Sequence, residues 1–167
     1  MCPAKAPRPV SILLVERDPG NAQLILEVLQ ATASEAQVWW VKDGREAIDL
    51  LLERDVHIGV PYPDFILLDL DLSDAAGMDV LVHIKSHDVL HRIPVVILRT
   101  AIEMEEVGNA YRLGANCLVQ KPLDPDRLRN VISVIEKFWL STVSLPPRLS
   151  GQPAARCADA SHERRRQ

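Results

Sequence analysis

The chain has 167 residues, 47% hydrophobic and 25% charged, which is enough for one domain with a substantial core and too apolar for a disordered chain. No apolar run is long enough to cross a membrane, and "MCPAKAPRPV" is not followed by the apolar stretch of a signal peptide. The net charge is −4, and residues 145–167 hold five arginines against Asp159 and Glu163; that +3 tail leaves −7 on the rest, which argues against a nucleic-acid-binding domain.

Residues 1–9, with three prolines, read as a flexible arm. "VSILLV" is a short run rich in β-branched residues, the pattern of a buried strand. Asp18-Pro19 suits an N-cap followed by a first helical residue, and Leu24, Ile25, Val28 and Leu29 recur at helical spacing to about Ala33. "QVWWV" (37–41) is a second strand, "DGREAIDLLLER" (43–54) a second helix, and 55–63, with two prolines, a loop. "FILLDL" (65–70) is a third strand, followed by a helix from about Gly77 carrying Val80, Leu81 and Ile84. "PVVIL" (94–98) is a fourth strand, and the helix after it runs to Leu113 with Gly114 as its C-cap. "CLVQ" (117–120) is a fifth strand. Asp124-Pro125 opens a last helix whose apolar face is Leu128, Val131, Ile132, Ile135, Phe138 and Trp139. Beyond Leu140 the composition turns to Ser, Pro, Gly, Arg and Ala. The folded domain is therefore placed at 10–141, with an extension at 142–167 that is disordered from about 145. Cys2, Cys117 and Cys157 have no zinc-ligand spacing and, without a leader, favour the reducing cytoplasm.

Five alternating strand–helix units predict a doubly wound α/β fold with a five-stranded parallel sheet in the order 2-1-3-4-5. In such sheets a site forms at the carboxyl ends of the strands, beside the switch point between the first and third. Reading those ends collects Glu16 and Arg17, Asp69, Arg99 and Thr100, and Lys121. Asp69 follows four apolar residues, where an acid is costly to bury alone. A structural ion pair or an N-cap is the plain reading, but Lys121 at another strand end favours a chemical role. Lys121 precedes Pro122 and is held extended, where an ammonium can neutralise a phosphoryl oxygen; a surface lysine is the alternative. Asp71 and Asp74, in the loop that follows, read as solvated or capping groups.

The motifs "ILLVERDP", "VKDGREAIDLL", "PDFILLDLDLSDAAGMDVL", "IPVVILRTA" and "AYRLGANCLVQKPLD" occur in that order over about residues 10–141. Together they resemble the receiver domain of two-component response regulators. They are most similar to the stand-alone regulators that partner phytochrome-type histidine kinases. The resemblance implies a flavodoxin-like receiver fold and a cytoplasmic, non-enzymatic, single-domain response regulator. It implies that Asp69 accepts a phosphoryl group from a kinase histidine to form an aspartyl phosphate, and that Lys121 pairs with that group. It further implies that Glu16 and its neighbour, with Asp69, hold Mg²⁺. A Ser or Thr would end the fourth strand as a switch, and an aromatic residue would lie three places before the lysine.

The chain departs from that pattern at three places. Arg17 replaces the second acid, Arg99 stands at the switch position with Thr100 one place later, and Leu118 replaces the aromatic. With both arginines turned inward, Glu16, Asp69, Arg17, Arg99 and Lys121 sum to +1, and Mg²⁺ would make +3, an unfavourable packing of like charge. The expectation is that the guanidiniums substitute for the cation. Outward rotamers remain equally open. Either Asp69 is phosphorylated slowly with little need of Mg²⁺, or the chain is a pseudo-receiver that acts by binding or dimerisation.

"FILLDLDLS" is also similar to the first motif of haloacid-dehalogenase-like phosphohydrolases, with Asp69 as nucleophile and Asp71 as acid/base. The acidic pair which that family needs after its lysine is represented only by Asp124 and Asp126 at a helix start, so motif order favours the receiver. No second domain is expected after the receiver, so its output is expected to leave through a surface. In receivers that surface would here include Met104, Val107, Tyr111, Leu118, Phe138 and Trp139. Phe138-Trp139-Leu140 is too apolar for a free surface, and "IEKFWLSTVSLP" resembles the segment used in dimerisation. A homodimer through Phe138 and Trp139 is predicted. The expected partner is a histidine kinase, such as a bacteriophytochrome, and neither nucleic acid nor membrane.

Overall fold

A computed structural model of the chain describes residues 9–32, 36–52, 62–72 and 76–147. Its elements follow the predicted alternation: β1 (Ser11–Val15), α1 (Pro19–Thr32), β2 (Gln37–Val41), α2 (Gly44–Leu52), β3 (Phe65–Asp69), α3 (Ala76–Ser86), β4 (Val95–Arg99), α4 (Met104–Arg112), β5 (Cys117–Gln120) and α5 (Pro125–Glu136). A 3₁₀ turn, Leu90–Arg92, precedes β4, and α5 continues as π-helical turns over Lys137–Thr142. Residues 1–8, most of the loop after α2, Asp74 and the tail from 148 lie outside the described residues. Among those described, no helix is long and apolar enough to cross a membrane.

Local chemistry explains the helix ends. Asp18 accepts the Asn21 N–H at 2.7 Å and Asp124 accepts the Arg127 N–H at 2.9 Å, both as N-caps. Asp43 accepts the Glu46 N–H at 2.8 Å while Glu46 reaches back to the Lys42 N–H at 3.0 Å, a reciprocal cap at the helix start. α4 stops where Gly114 takes φ 96°, as predicted.

The sheet is parallel throughout in the order β2-β1-β3-β4-β5. Side chains alternate across it and sort into two cores. Leu13, Val15, Ile66, Leu68, Val95 and Ile97 meet α2, α3 and Ala110 of α4. Ile12, Leu14, Phe65, Leu67, Val96 and Leu98 meet α1 and α5 on the other face. β1 and β3 are buried along their whole length, which fixes the sheet's centre and holds its strand ends in place.

One expectation is corrected here. Trp139 contributes little to the surface: it is 8% exposed and stacks on Phe65 with ring centroids 5.9 Å apart. Trp139 continues the buried stripe of Leu128, Ile132 and Ile135 at helical spacing, while Phe138, one position earlier, is 51% exposed and edge-on to it. Val143 and Leu145 pack against the same core, beyond the boundary read at 141.

Candidate functional site

Counting by two along each strand carries the α1/α5 face past the last ladder residues. Ile12 and Leu14 lead to Glu16, Phe65 and Leu67 to Asp69, Val96 and Leu98 to Thr100, and Cys117 and Val119 to Lys121. The register aligns Val15 with Leu68, Asp69 with Leu98 and Leu98 with Val119, so these termini meet at one edge. Lys121 Nζ lies 2.5 Å from Glu16 Oε2 and 2.6 Å from Asp69 Oδ2. The three side chains are 5%, 1% and 2% exposed.

The other carboxylate oxygens are also partnered. Glu16 Oε1 accepts the Asp18 N–H at 2.9 Å, and Asp69 Oδ1 accepts the Asp71 N–H at 2.8 Å. The Glu16 backbone is fixed too: its N–H donates to Val41 O at 3.1 Å, and its carbonyl accepts from Trp40 Nε1 at 2.9 Å. Gly77 lies in the first turn of α3, against the turn that follows Asp69. A Cβ there would lie 2.9 Å from Leu70 Cα and 3.1 Å from Asp69 O, so only glycine allows this approach.

Two buried carboxylates and one ammonium leave one excess negative charge. Burial pushes the Glu16 carboxyl up, opposed by Lys121 and reinforced by the Asp69 charge, to about 7. Burial alone would lower Lys121, but its bonds to Asp69 and Glu16 outweigh that and hold the ammonium above its usual range.

The structure does not bring the two arginines into this cluster. Arg17 follows Glu16 by one position, points to the opposite side and is exposed, with no ion pair among the described residues. Arg99 continues Val95 and Ile97 on the α4 face, where its guanidinium lies 2.6 Å from Asp71 and 3.0 Å from Glu106. The +1 charge count, and guanidinium substitution for a cation, are therefore corrected to a core triad of −1 with a separate ion-pair cluster beside it. Thr100 continues Val96 and Leu98 on the same side of the sheet as Asp69. It lines a groove of about 640 Å³ with Val119, Lys121, Pro122 and Arg127. Leu118, in the aromatic's place, packs into the α2/α3 core.

Asp71 is the site residue that the sequence reading missed. Its carboxylate accepts the Thr100 N–H at 2.8 Å as well as Arg99. Burial raises this carboxyl, but the Thr100 bonds and the Arg99 charge outweigh it and hold it below its usual range. The signal was present: Arg99 shares parity with Ile97, and an arginine on that face needs acids nearby.

The donor set does not fit a divalent cation as it stands. Such ions take about six oxygen ligands, and among the described residues no three Asp, Glu, His or Cys side chains are grouped to hold a metal. Between the two carboxylates that remain sits the Lys121 ammonium, and the residue following Glu16 offers a cation in place of an oxygen.

A family model described as the response regulator receiver domain matches residues 12–133. The chain is 37% identical over 138 residues to response regulator Rcp1 of Synechocystis sp., covering 83% of this chain and 94% of that protein. In three dimensions it is similar to the phosphorylated cyanobacterial phytochrome response regulator RcpA, with a TM-score of 0.78 and 38% identity over 83% of this chain and 99% of that one. It is similar also to the Mn²⁺-bound form of Rcp1, with a TM-score of 0.77 and 37% identity over 83% of this chain and 100% of that one. The match spans the acid and lysine motifs in receiver order, which decides against the phosphohydrolase likeness of "FILLDLDLS". The chain belongs to the family of response regulator receiver domains.

Proposed function

We propose that this receiver works in a two-component phosphorelay, taking a phosphoryl group on Asp69 from a histidine kinase. The relatives favour a kinase of the phytochrome-associated kind. One observation carries the reading: a strand-end carboxylate, 2% exposed, is paired at 2.6 Å with a buried ammonium. A lone pair of an Asp69 oxygen attacks phosphorus, a P–O bond forms and the P–N bond of the phosphohistidine breaks, its electron pair returning to the imidazole. Lys121 offsets the charge that arrives, and a proton held on Glu16 keeps that carboxyl from opposing it. Thr100, on the acceptor's side of the sheet and lining one groove with Lys121, supplies a hydroxyl for the transferred group. Asp69 and Lys121 thus act on the phosphoryl group, Thr100 on its product state, and Arg17 on neither.

The outer side of α5 serves as a homodimer face. Val134 is 66% exposed and Phe138 51%, and they rim an apolar groove of about 370 Å³ floored by Cys117, Val119 and Trp139. A second reading, dimerisation without phosphorylation, draws on the closure of the Glu16–Lys121–Asp69 triad, which leaves Asp69 no free oxygen.

Incubation with acetyl phosphate, with and without Mg²⁺, followed by intact-mass measurement, separates the two. The expected result is one phosphoryl adduct that is lost in Asp69→Asn and persists when Mg²⁺ is chelated. No adduct from acetyl phosphate or from a cognate kinase would leave the second reading. An adduct formed at full strength only with Mg²⁺ would refute the account of the donor set.

A further inference from the structure

Apolar packing anchors α4 less than any other helix among the described residues. Of Met104–Arg112 only Ala110 is buried, while Met104 is 82% exposed and Tyr111 50%. Polar ties at its two ends must therefore do much of the placing. At the C-terminal end the Tyr111 hydroxyl accepts the Leu118 N–H at 3.3 Å, a bond from helix to edge strand. At the N-terminal end Arg99 donates to Glu106 through Nε at 3.2 Å and Nη2 at 3.0 Å. The remaining edge of the same guanidinium donates through Nη1 to Asp71 at 2.6 Å and to the Leu70 carbonyl at 3.5 Å.

The stereochemistry requires an arginine. A planar fork presents N–H groups along two edges, so one guanidinium can serve two carboxylates at once. Without it, Asp71 and Glu106 would face each other as like charges. The Asp71 N–H is bonded to Asp69 Oδ1, so the cluster is joined by backbone to the buried triad.

We propose that Arg99 is a positioning residue for α4: shared between Asp71 and Glu106, it fastens the first turn of α4 to the turn that follows Asp69 and so sets where the α4 face stands. This goes beyond the phosphorelay reading and does not require Asp69 to be phosphorylated. The α4 face is held in place in the unmodified chain, by charge pairing more than by burial.

Amide hydrogen exchange on the full chain tests this. The first α4 amide bonded within the helix is that of Val107, to Glu103 O at 3.0 Å, so the readout is Val107–Arg112. In Arg99→Met these amides should exchange about tenfold faster, the size expected for a partly exposed charge-assisted pair, while β1 and β3 amides keep their rates. Glu106→Gln should speed the same amides, and the double variant should go no further than Arg99→Met, because both break one link. Tyr111→Phe should loosen the C-terminal end alone. The proposal is overturned if α4 exchange is unchanged in Arg99→Met, if sheet amides accelerate equally, or if the two single effects add. Should Arg99→Met fail to fold, Glu106→Gln keeps the Arg99–Asp71 pair and carries the same test.

Discussion

Replacing Glu16 with glutamine should make the protein more stable at mildly alkaline pH. The Glu16 carboxyl is displaced upward from 4.5 to about 7, burial being the largest cause. A raised acid means that the folded state keeps a proton the unfolded chain releases. Stability from this group is therefore undiminished below 4.5, falls as pH rises, and levels off above about 7. At about 1.4 kcal/mol per unit of displacement, the parent should lose about 2.5 kcal/mol between pH 5 and pH 8 through Glu16 alone. Lys121 and Asp71 add no slope in that window, since one is displaced upward from the lysine range and the other downward from the carboxylate range. Glutamine keeps an acceptor for Lys121 and does not titrate. Urea unfolding of both proteins at several pH values, with a common slope in denaturant, gives the difference directly. Glu16→Gln should gain on the parent by about 2.5 kcal/mol from pH 5 to pH 8. A difference that stays flat within about 0.5 kcal/mol would refute the assignment of the excess buried charge to Glu16.

Lys121→Met strands two buried carboxylates and should cost about 4 kcal/mol at pH 8, less at pH 5 where Glu16 is protonated, by the same urea assay. Gly77→Ala forces a Cβ against Leu70 and the Asp69 carbonyl; it should cost about 2 kcal/mol and shift the backbone amide resonances of Asp69–Asp71. Trp139→Ala should cost about 4 kcal/mol by opening a cavity over Phe65. Val134→Glu combined with Phe138→Glu should leave the melting temperature nearly unchanged and give a monomer by light scattering, and a persisting dimer would put the interface elsewhere.

The parts of this fold written in short-range pattern were legible. Five apolar runs, three aspartate caps and Gly114 suffice for the element order, because each records a local preference that the tertiary structure did not override. The triad was legible as well, since Glu16 and Asp69 stand at the ends of fully buried strands and Lys121 follows the edge strand β5. The arginines were harder. Arg17 and Arg99 occupy positions that a sequence comparison assigns to the site, yet strand parity turns both to the other side. Long side chains choose partners from loops and helices distant in sequence: Asp71 is 28 positions from Arg99, and nothing local to either announces the pair. Phe138-Trp139-Leu140 reads as an apolar run whose members are not told apart locally, and only the packing on Phe65 separates the buried Trp139 from the exposed Phe138.

The indole of Trp40 donates to the main-chain carbonyl of Glu16 at 2.9 Å, with the Lys42 ammonium 5.5 Å from its ring centre. Trp39 packs on the opposite side of the sheet and Trp139 lies against Phe65, so Trp40 is the tryptophan wired to the acidic edge. The molecule thus carries its own chromophore at that edge. Its emission, followed through a pH titration of the unlabelled chain, should report proton uptake at Glu16 through that carbonyl, and Trp40→Phe should remove the response while leaving the emission of the other two.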